Sequence, residues 1–113
     1  MISGINSSLA AFFTFGAQLS NTAGNVANVN TDGYKKTVGT IVEDSAGLPA
    51  LALSTSDSPG ALIQKDGVMT ETSNVDLNEE LPQMIVTRTG YEANIKALQV
   101  QDDLLKSTLN ILA

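Results

Sequence analysis

The 113-residue sequence has no cysteine, no histidine, no tryptophan and a single arginine, Arg88. Without cysteine there is no disulfide framework, no thiol nucleophile and no thiolate ligand. Without histidine the commonest general base and the commonest metal ligand are both missing. No catalytic residue, metal site or cofactor is therefore expected. A small hydrolase that pairs a Ser or Thr with Lys35 or Lys65 finds almost no support, because no nucleophile has a base beside it. Basic residues are few and scattered, six against twelve acids for a net charge of -6, which argues against a nucleic-acid partner. The adjacent acids Glu43-Asp44, Glu79-Glu80 and Asp102-Asp103 point to different faces of a helix or strand and read as solvated charge. The apolar run from Leu9 to Phe15 is too short to cross a bilayer, so no membrane insertion is expected. No basic residue precedes that run as a cleavable secretory signal would require.

Charge is also missing locally, since no ionisable side chain precedes Asp32. The outer positions of this segment carry Ser, Thr, Asn, Gln, Gly and Ala, which are mediocre to poor helix formers, and Gly16 and Gly24 each cost roughly 1 kcal/mol against Ala in a helix interior. Tertiary or intersubunit packing must supply the stability. A neutral, small surface suits a helix crowded by several copies, since no charge has to be buried. The lesser alternative is a plain polar helix face.

What is present is a repeat of seven residues at each end. Ile2, Ile5, Leu9, Phe12, Gly16, Leu19, Ala23 and Val26 follow alternating steps of three and four, and so do Leu77, Leu81, Met84, Arg88, Tyr91, Ile95, Leu98, Asp102, Leu105, Leu109 and Leu112. Such a pattern marks an a/d seam. Arg88 and Asp102 interrupt the second seam. Either they are paired or at an edge and set register, or the seam drifts locally so that Ile85, Val86 and Leu104 face inward. Helices of roughly 27 and 36 residues would span about 40 and 54 Å. They are too long for a compact domain of radius of gyration ~13 Å, so they must project or associate.

The first helix is expected to stop between Asn28 and Asn30, before the turn signal Asp32-Gly33. The middle carries turns at Ala46-Gly47, Leu48-Pro49 and Ser58-Pro59-Gly60, a strand-like stretch Val38 to Val42, and a small hairpin in which Leu62-Ile63-Gln64 and Val68-Met69-Thr70 flank Lys65-Asp66-Gly67. The last helix opens with Asp76 as N-cap and Glu79 in capping-box spacing. Pro82, at the sixth helical position, removes the backbone bond to Asn78 and is expected to kink the helix or delay its start.

Two stretches of the chain resemble the signatures of the bacterial flagellar rod and hook family of axial proteins. Ser20 to Lys35, with Asn25, Asn28, Asn30, Thr31, Gly33 and Tyr34, is similar to the N-terminal signature. Ser73, Asn74 and Asp76 through Tyr91 and Asn94, on to Leu112, are similar to the C-terminal one. The sequence departs from that pattern at Pro82, where the family has an apolar residue, and at Thr89-Gly90, where Arg-Ala is common. The resemblance implies a structural subunit of the basal-body rod, most like a short proximal rod protein, lying in the periplasmic part of the flagellum. It implies assembly with other rod subunits and with copies of itself. It also implies passage through the flagellar type III export apparatus without a cleavable signal peptide.

The expectation is therefore a mainly α fold. Long N- and C-terminal helices pack as a coiled coil around a short β-hairpin and loop segment, with residues 1-33, 34-72 and 73-113 as the three parts. The assembly interface is expected at Ile2, Ile5, Leu9, Phe12, Leu19, Val26, Leu81, Met84, Tyr91, Ile95, Leu98, Leu105, Leu109 and Leu112. The competing reading is a non-flagellar coiled-coil adaptor that closes into a dimer or small bundle.

Overall fold

The computed structural model describes residues 2-113. The chain runs α1 (Ile2–Ala27), β1 (Thr37–Glu43), β2 (Pro49–Thr55), β3 (Leu62–Lys65), β4 (Val68–Glu71) and α2 (Leu77–Leu112). Ser8 bonds Gln101, Phe12 stacks on Tyr91, and Asn25 bonds Glu80, so the two helices run antiparallel. The molecule measures 77 × 25 × 16 Å with a radius of gyration of 19.8 Å, well above the ~13 Å of a compact chain this long.

Local chemistry explains where the elements begin and end. Asn28 closes α1 by folding its amide back onto the Gly24 carbonyl at 2.9 Å, while its own Oδ1 accepts from the Thr31 hydroxyl. Gly33, at φ +72°, then turns the chain and donates its N–H to the Glu71 carbonyl. Asp76 caps α2 by accepting from the Asn78 N–H at 2.8 Å. The other half of the capping box is not made, because the Glu79 carboxylate reaches Lys36 instead. Pro82 lies inside α2, which begins at Leu77 without a delay. At this end the Asp76 cap and the contact with α1 offset the missing hydrogen bond.

Two antiparallel hairpins fill the middle. In β3–β4 the loop is only Asp66-Gly67, with φ of 51° and 80°. Positive φ at both central residues is the type I′ turn that matches strand twist. Lys65 is the last residue of β3, paired with Val68, and not part of the turn as the sequence suggests. The β1–β2 hairpin pairs Thr37 with Thr55 through Glu43 with Pro49. Its loop is held by Asp44, whose Oδ1 accepts from the Ala46 and Leu48 N–H groups. Pro49 opens β2, a place where its missing donor is tolerated.

The hairpin in the middle is as expected, but the mainly α coiled coil is not. Helices make up 55% of the chain, the rest includes two separate two-stranded sheets, and the heptad seams do not form a buried apolar stripe. Among the described residues no apolar side chain is fully buried. The buried positions of α1 are Thr14, Gln18, Thr22 and Asn25, and those of α2 are Glu80 and Thr87. The reason is that α1 has two neighbours. Its Thr14 hydroxyl donates to the Pro49 carbonyl and its Asn21 amide to the Thr37 carbonyl, so one face is given to the β1–β2 hairpin.

Along α2 the face turned to α1 is shifted by one residue at three positions of the seam. Glu80, Thr87 and Gln101 are turned inward in place of Leu81, Arg88 and Asp102, while Met84, Tyr91, Ile95 and Leu98 keep their places. Arg88 and Asp102 face solvent in i,i+4 pairs with Glu92 and Lys106. Ile85, Val86 and Leu104 are more than half exposed, so the seam does not drift onto them, and Arg88 and Asp102 are accommodated as paired charges on the solvent side. The helices approach closely where glycine permits: Phe15 lies over Gly90, and Gly16 faces the Tyr91 ring.

One glycine of the middle segment is fixed by contact. A Cβ at Gly60 would collide with the Thr72 carbonyl, which is backbone and cannot swing away, and Gly60 donates its N–H to Glu71 Oε1 at 2.7 Å. Gly60→Ala is expected to destabilise the chain by about 1–3 kcal/mol. Urea unfolding against the wild type measures it, and an unchanged midpoint would contradict the close approach.

Candidate assembly site at the junction of the two ends

The two signature stretches, far apart in sequence, meet in a polar knot at the C-terminal end of α1. Its centre is Asn25, 1% exposed. Asn25 Nδ2 donates to the Thr37 carbonyl at 2.8 Å and to Glu80 Oε2 at 3.2 Å. Its Oδ1 accepts from the Thr37 N–H at 3.0 Å and from the Tyr34 hydroxyl at 3.2 Å. A carboxamide has two N–H donors and two acceptor lone pairs, and all four are used. One side chain thereby ties α1, the turn after it, β1 and the first turn of α2.

Asn74 makes a second clasp. Its Oδ1 accepts from the Lys36 N–H at 2.6 Å, its Nδ2 donates to the Ser56 and Ser58 carbonyls, and its own N–H donates to the Tyr34 carbonyl. Ser73 Oγ accepts from the Val75 N–H and so shapes the approach to α2. Lys36 bonds Glu79, and that hydrogen bond, reinforced by the nearby carboxylates, holds its ammonium pKa above the usual lysine value despite partial burial. Glu71 takes a hydrogen bond from Lys35 and another from the Gly60 N–H, which lower its pKa below the usual carboxylate value. Both effects favour the charged forms that close the knot.

The signature residues thus divide by role. Asn25, Tyr34 and Asn74 form the knot, Asn28, Thr31 and Gly33 form the turn, and Ser73 and Asp76 start α2. Tyr91 stacks on Phe12 at a centroid distance of 4.7 Å, further along the helix pair. Asn94 donates to the Gly90 carbonyl. Asn30 stands apart, exposed to solvent.

The seam residues divide by exposure. Ile5, Phe12, Leu19, Val26, Met84, Tyr91, Ile95 and Leu98 are half-buried, whereas Ile2, Leu9, Leu81, Leu105, Leu109 and Leu112 are exposed. Sequence reasoning gave Gln18, Asn21, Thr37 and Lys36 no place in the knot, and it read Glu80 as solvated charge, whereas Glu80 is 8% exposed and bonded to Asn25. The available signal was the row Thr14, Gln18, Thr22, Asn25, a neutral polar stripe at helical spacing beside the apolar seam. Part of the uncharged surface of α1 is therefore neutral because it is buried within its own chain. Between α1, β1 and the first turns of α2 lies an open cleft of about 210 Å³, lined by Gln18, Asn25, Lys36, Thr37, Glu79 and Glu80 among others.

Residues 67–111, from the β3–β4 turn to the end of α2, match the family described as flagellar basal body rod FlgEFG protein C-terminal. The chain is 33% identical over 86 residues to the flagellar hook protein FlgE of Helicobacter pylori, covering 76% of this chain and 12% of the relative. It is 34% identical over 91 residues to the flagellar basal-body rod protein FlgG of Bacillus subtilis, 78% of this chain and 33% of the relative. To FlgG of Borreliella burgdorferi it is 35% identical over 91 residues, 80% of this chain and 31% of the relative. The chain spans about a third or less of the length of these relatives. With both signatures closed into one knot and this similarity reaching across both, the chain belongs to the flagellar basal-body rod and hook family.

Proposed function

We propose that this chain is a non-catalytic structural subunit of the flagellar basal-body rod, joining copies of itself and other axial subunits through its terminal helices. The observation that carries the reading is the amount of surface left uncovered. The accessible area is 7439 Å², against about 5,900 Å² for a compact monomer of this mass. The excess of roughly 1,500 Å² equals about two standard protein interfaces at ~800 Å² per partner. Much of it lies on the helices, where Ile2, Phe13, Ile85, Val86, Leu109, Ile111 and Leu112 are each more than 60% exposed. A knot that fixes the relative placement of the two helices, with apolar side chains left outward, suits a subunit whose helices finish their packing against neighbours. Its place is the periplasmic rod, and its route there is the flagellum's own export apparatus. The names of its relatives, basal-body rod and hook proteins, support a place in the axial structure, and the export route rests on the resemblance of the two signature stretches.

Isolation of intact basal bodies from the source bacterium, followed by mass spectrometry and immunogold labelling, tests the reading. The chain is expected in the rod in several copies, and its deletion is expected to abolish complete rods. Complete rods in the deletion strain, with the chain absent from wild-type basal bodies, would overturn it.

A further inference from the structure

Within the cleft at the knot, one buried acid is in no ion pair, and the cation close enough to act on it, Lys36, is held by Glu79. Glu80 is 8% exposed, and among the described residues no cation lies within salt-bridge distance of it. Its Oε2 accepts only the long bond from Asn25. Lys36, which lines the same cleft, binds Glu79. Gln18, 5% exposed and also lining the cleft, has a buried carbonyl oxygen without a partner. A largely buried carboxylate in no ion pair, beside an amide oxygen without a partner, is an incomplete site, because a buried charge is tolerated when paired. The cleft, at about 210 Å³, is smaller than the ~300 Å³ where small-molecule pockets begin. Its size suits one side chain. Among the described residues no three potential ligands gather to hold a metal ion.

The chain carries a matching charge that cannot reach the cleft. Lys96 is exposed and, among the described residues, is the one cationic side chain in no ion pair. It lies sixteen residues beyond Glu80 on the same helix, about 24 Å along the axis at 1.5 Å per residue. No lysine side chain bridges that distance, so the two charges can pair only between molecules. We propose that the cleft is a socket for the Lys96 ammonium of a second copy of this chain, which seats on Glu80 and staggers neighbouring copies along α2. This rests on the reading of the chain as a subunit that associates with copies of itself.

The test uses the full chain, concentrated until it associates, as an equal mixture of ¹⁵N-labelled and unlabelled protein treated with a water-soluble carbodiimide. The expected product is an amide between Glu80 and Lys96 in peptides of mixed isotope content. A double-mutant cycle on the association constant accompanies it. Glu80→Gln keeps an acceptor for Asn25 but removes the charge, and Lys96→Ala lies on an exposed site. Each is expected to weaken association by about thirtyfold or more, and the double variant no further than either alone. Additive effects, a Lys96 cross-link only to exposed acids, or no self-association at any concentration would overturn the socket. Cross-linking in basal bodies of Glu80 to a lysine of another protein would replace the second copy with that partner. In those cases the rod reading stands or falls separately, on whether the chain is found in basal bodies.

Discussion

Asn25→Asp is expected to cost about 3–5 kcal/mol, the largest effect of any single substitution in the knot. The replacement is nearly isosteric, so no cavity or clash contributes. It removes both N–H donors, leaving Glu80 Oε2 without its hydrogen bond, and it places a second carboxylate at a position 1% exposed and in contact with the first. Two carboxylates so close cannot both ionise cheaply, so one of them takes a raised pKa. The sign follows: the defect is full at neutral pH, where the folded chain must take up a proton or bear the repulsion, and it shrinks as pH falls and the shared proton is supplied. Asn30→Asp is the control, an exposed residue for which an effect within ~0.5 kcal/mol is expected. With no fully buried apolar side chain among the described residues, the wild type has little stability in reserve. The Asn25 variant should therefore lose most of its helical circular dichroism at pH 7 and 25 °C, while the Asn30 variant keeps it. Equal spectra for the two variants at pH 7 would show that the knot does not organise the fold.

The same residues show why some features were legible in the sequence and others were not. Chain reversals and helix ends depend on local chemistry, so Asp66-Gly67, Asp76 and the Asn28 region could be located from a few neighbouring residues. The packing face of a helix depends on what lies against it, and that is not local. The heptads suggest that Leu81 and the Asp102 position face the other helix. Instead the residues one position earlier are turned inward, because Glu80 and Gln101 find the polar partners Asn25 and Ser8 on α1. Strand β2 was hard to see because Pro49-Ala50-Leu51-Ala52-Leu53 has weak β propensity. Its partner β1 and the Thr14 hydroxyl on its first carbonyl hold it in place. The family signature located the knot as a set of residues. Which of its asparagines is the hub followed only from the geometry, since Asn25, Asn28 and Asn30 look alike in sequence yet one is buried and saturated, one closes a helix and one is solvated.

The end of α2 is where the largest effect on association is expected. Gln101 meets Ser8 and Gly4 near the start of α1, and from Asp102 onward every residue of α2 is exposed. This stretch carries Leu104, Leu105, Leu109, Ile111 and Leu112, with the last three at 65%, 81% and 80% exposure. Full burial of a leucine is worth about 1.5–3 kcal/mol, so Leu109→Ser combined with Leu112→Ser removes about 3–6 kcal/mol from any contact that covers both. That corresponds to a loss of roughly 10²- to 10⁴-fold in association constant. The folded chain itself should hardly notice, because neither side chain packs on α1 or the hairpins, and serine costs little helix propensity near a fraying end. Circular dichroism of the dilute variant is therefore expected to match the wild type, while sedimentation at high concentration shows loss of assembly and cells carrying the variant lose motility. If the double variant assembles and supports swimming at wild-type protein levels, the exposed end of α2 is not an intersubunit contact. The uncovered area would then have to be filled by the other exposed apolar residues of the helices, Ile2, Phe13, Ile85 and Val86.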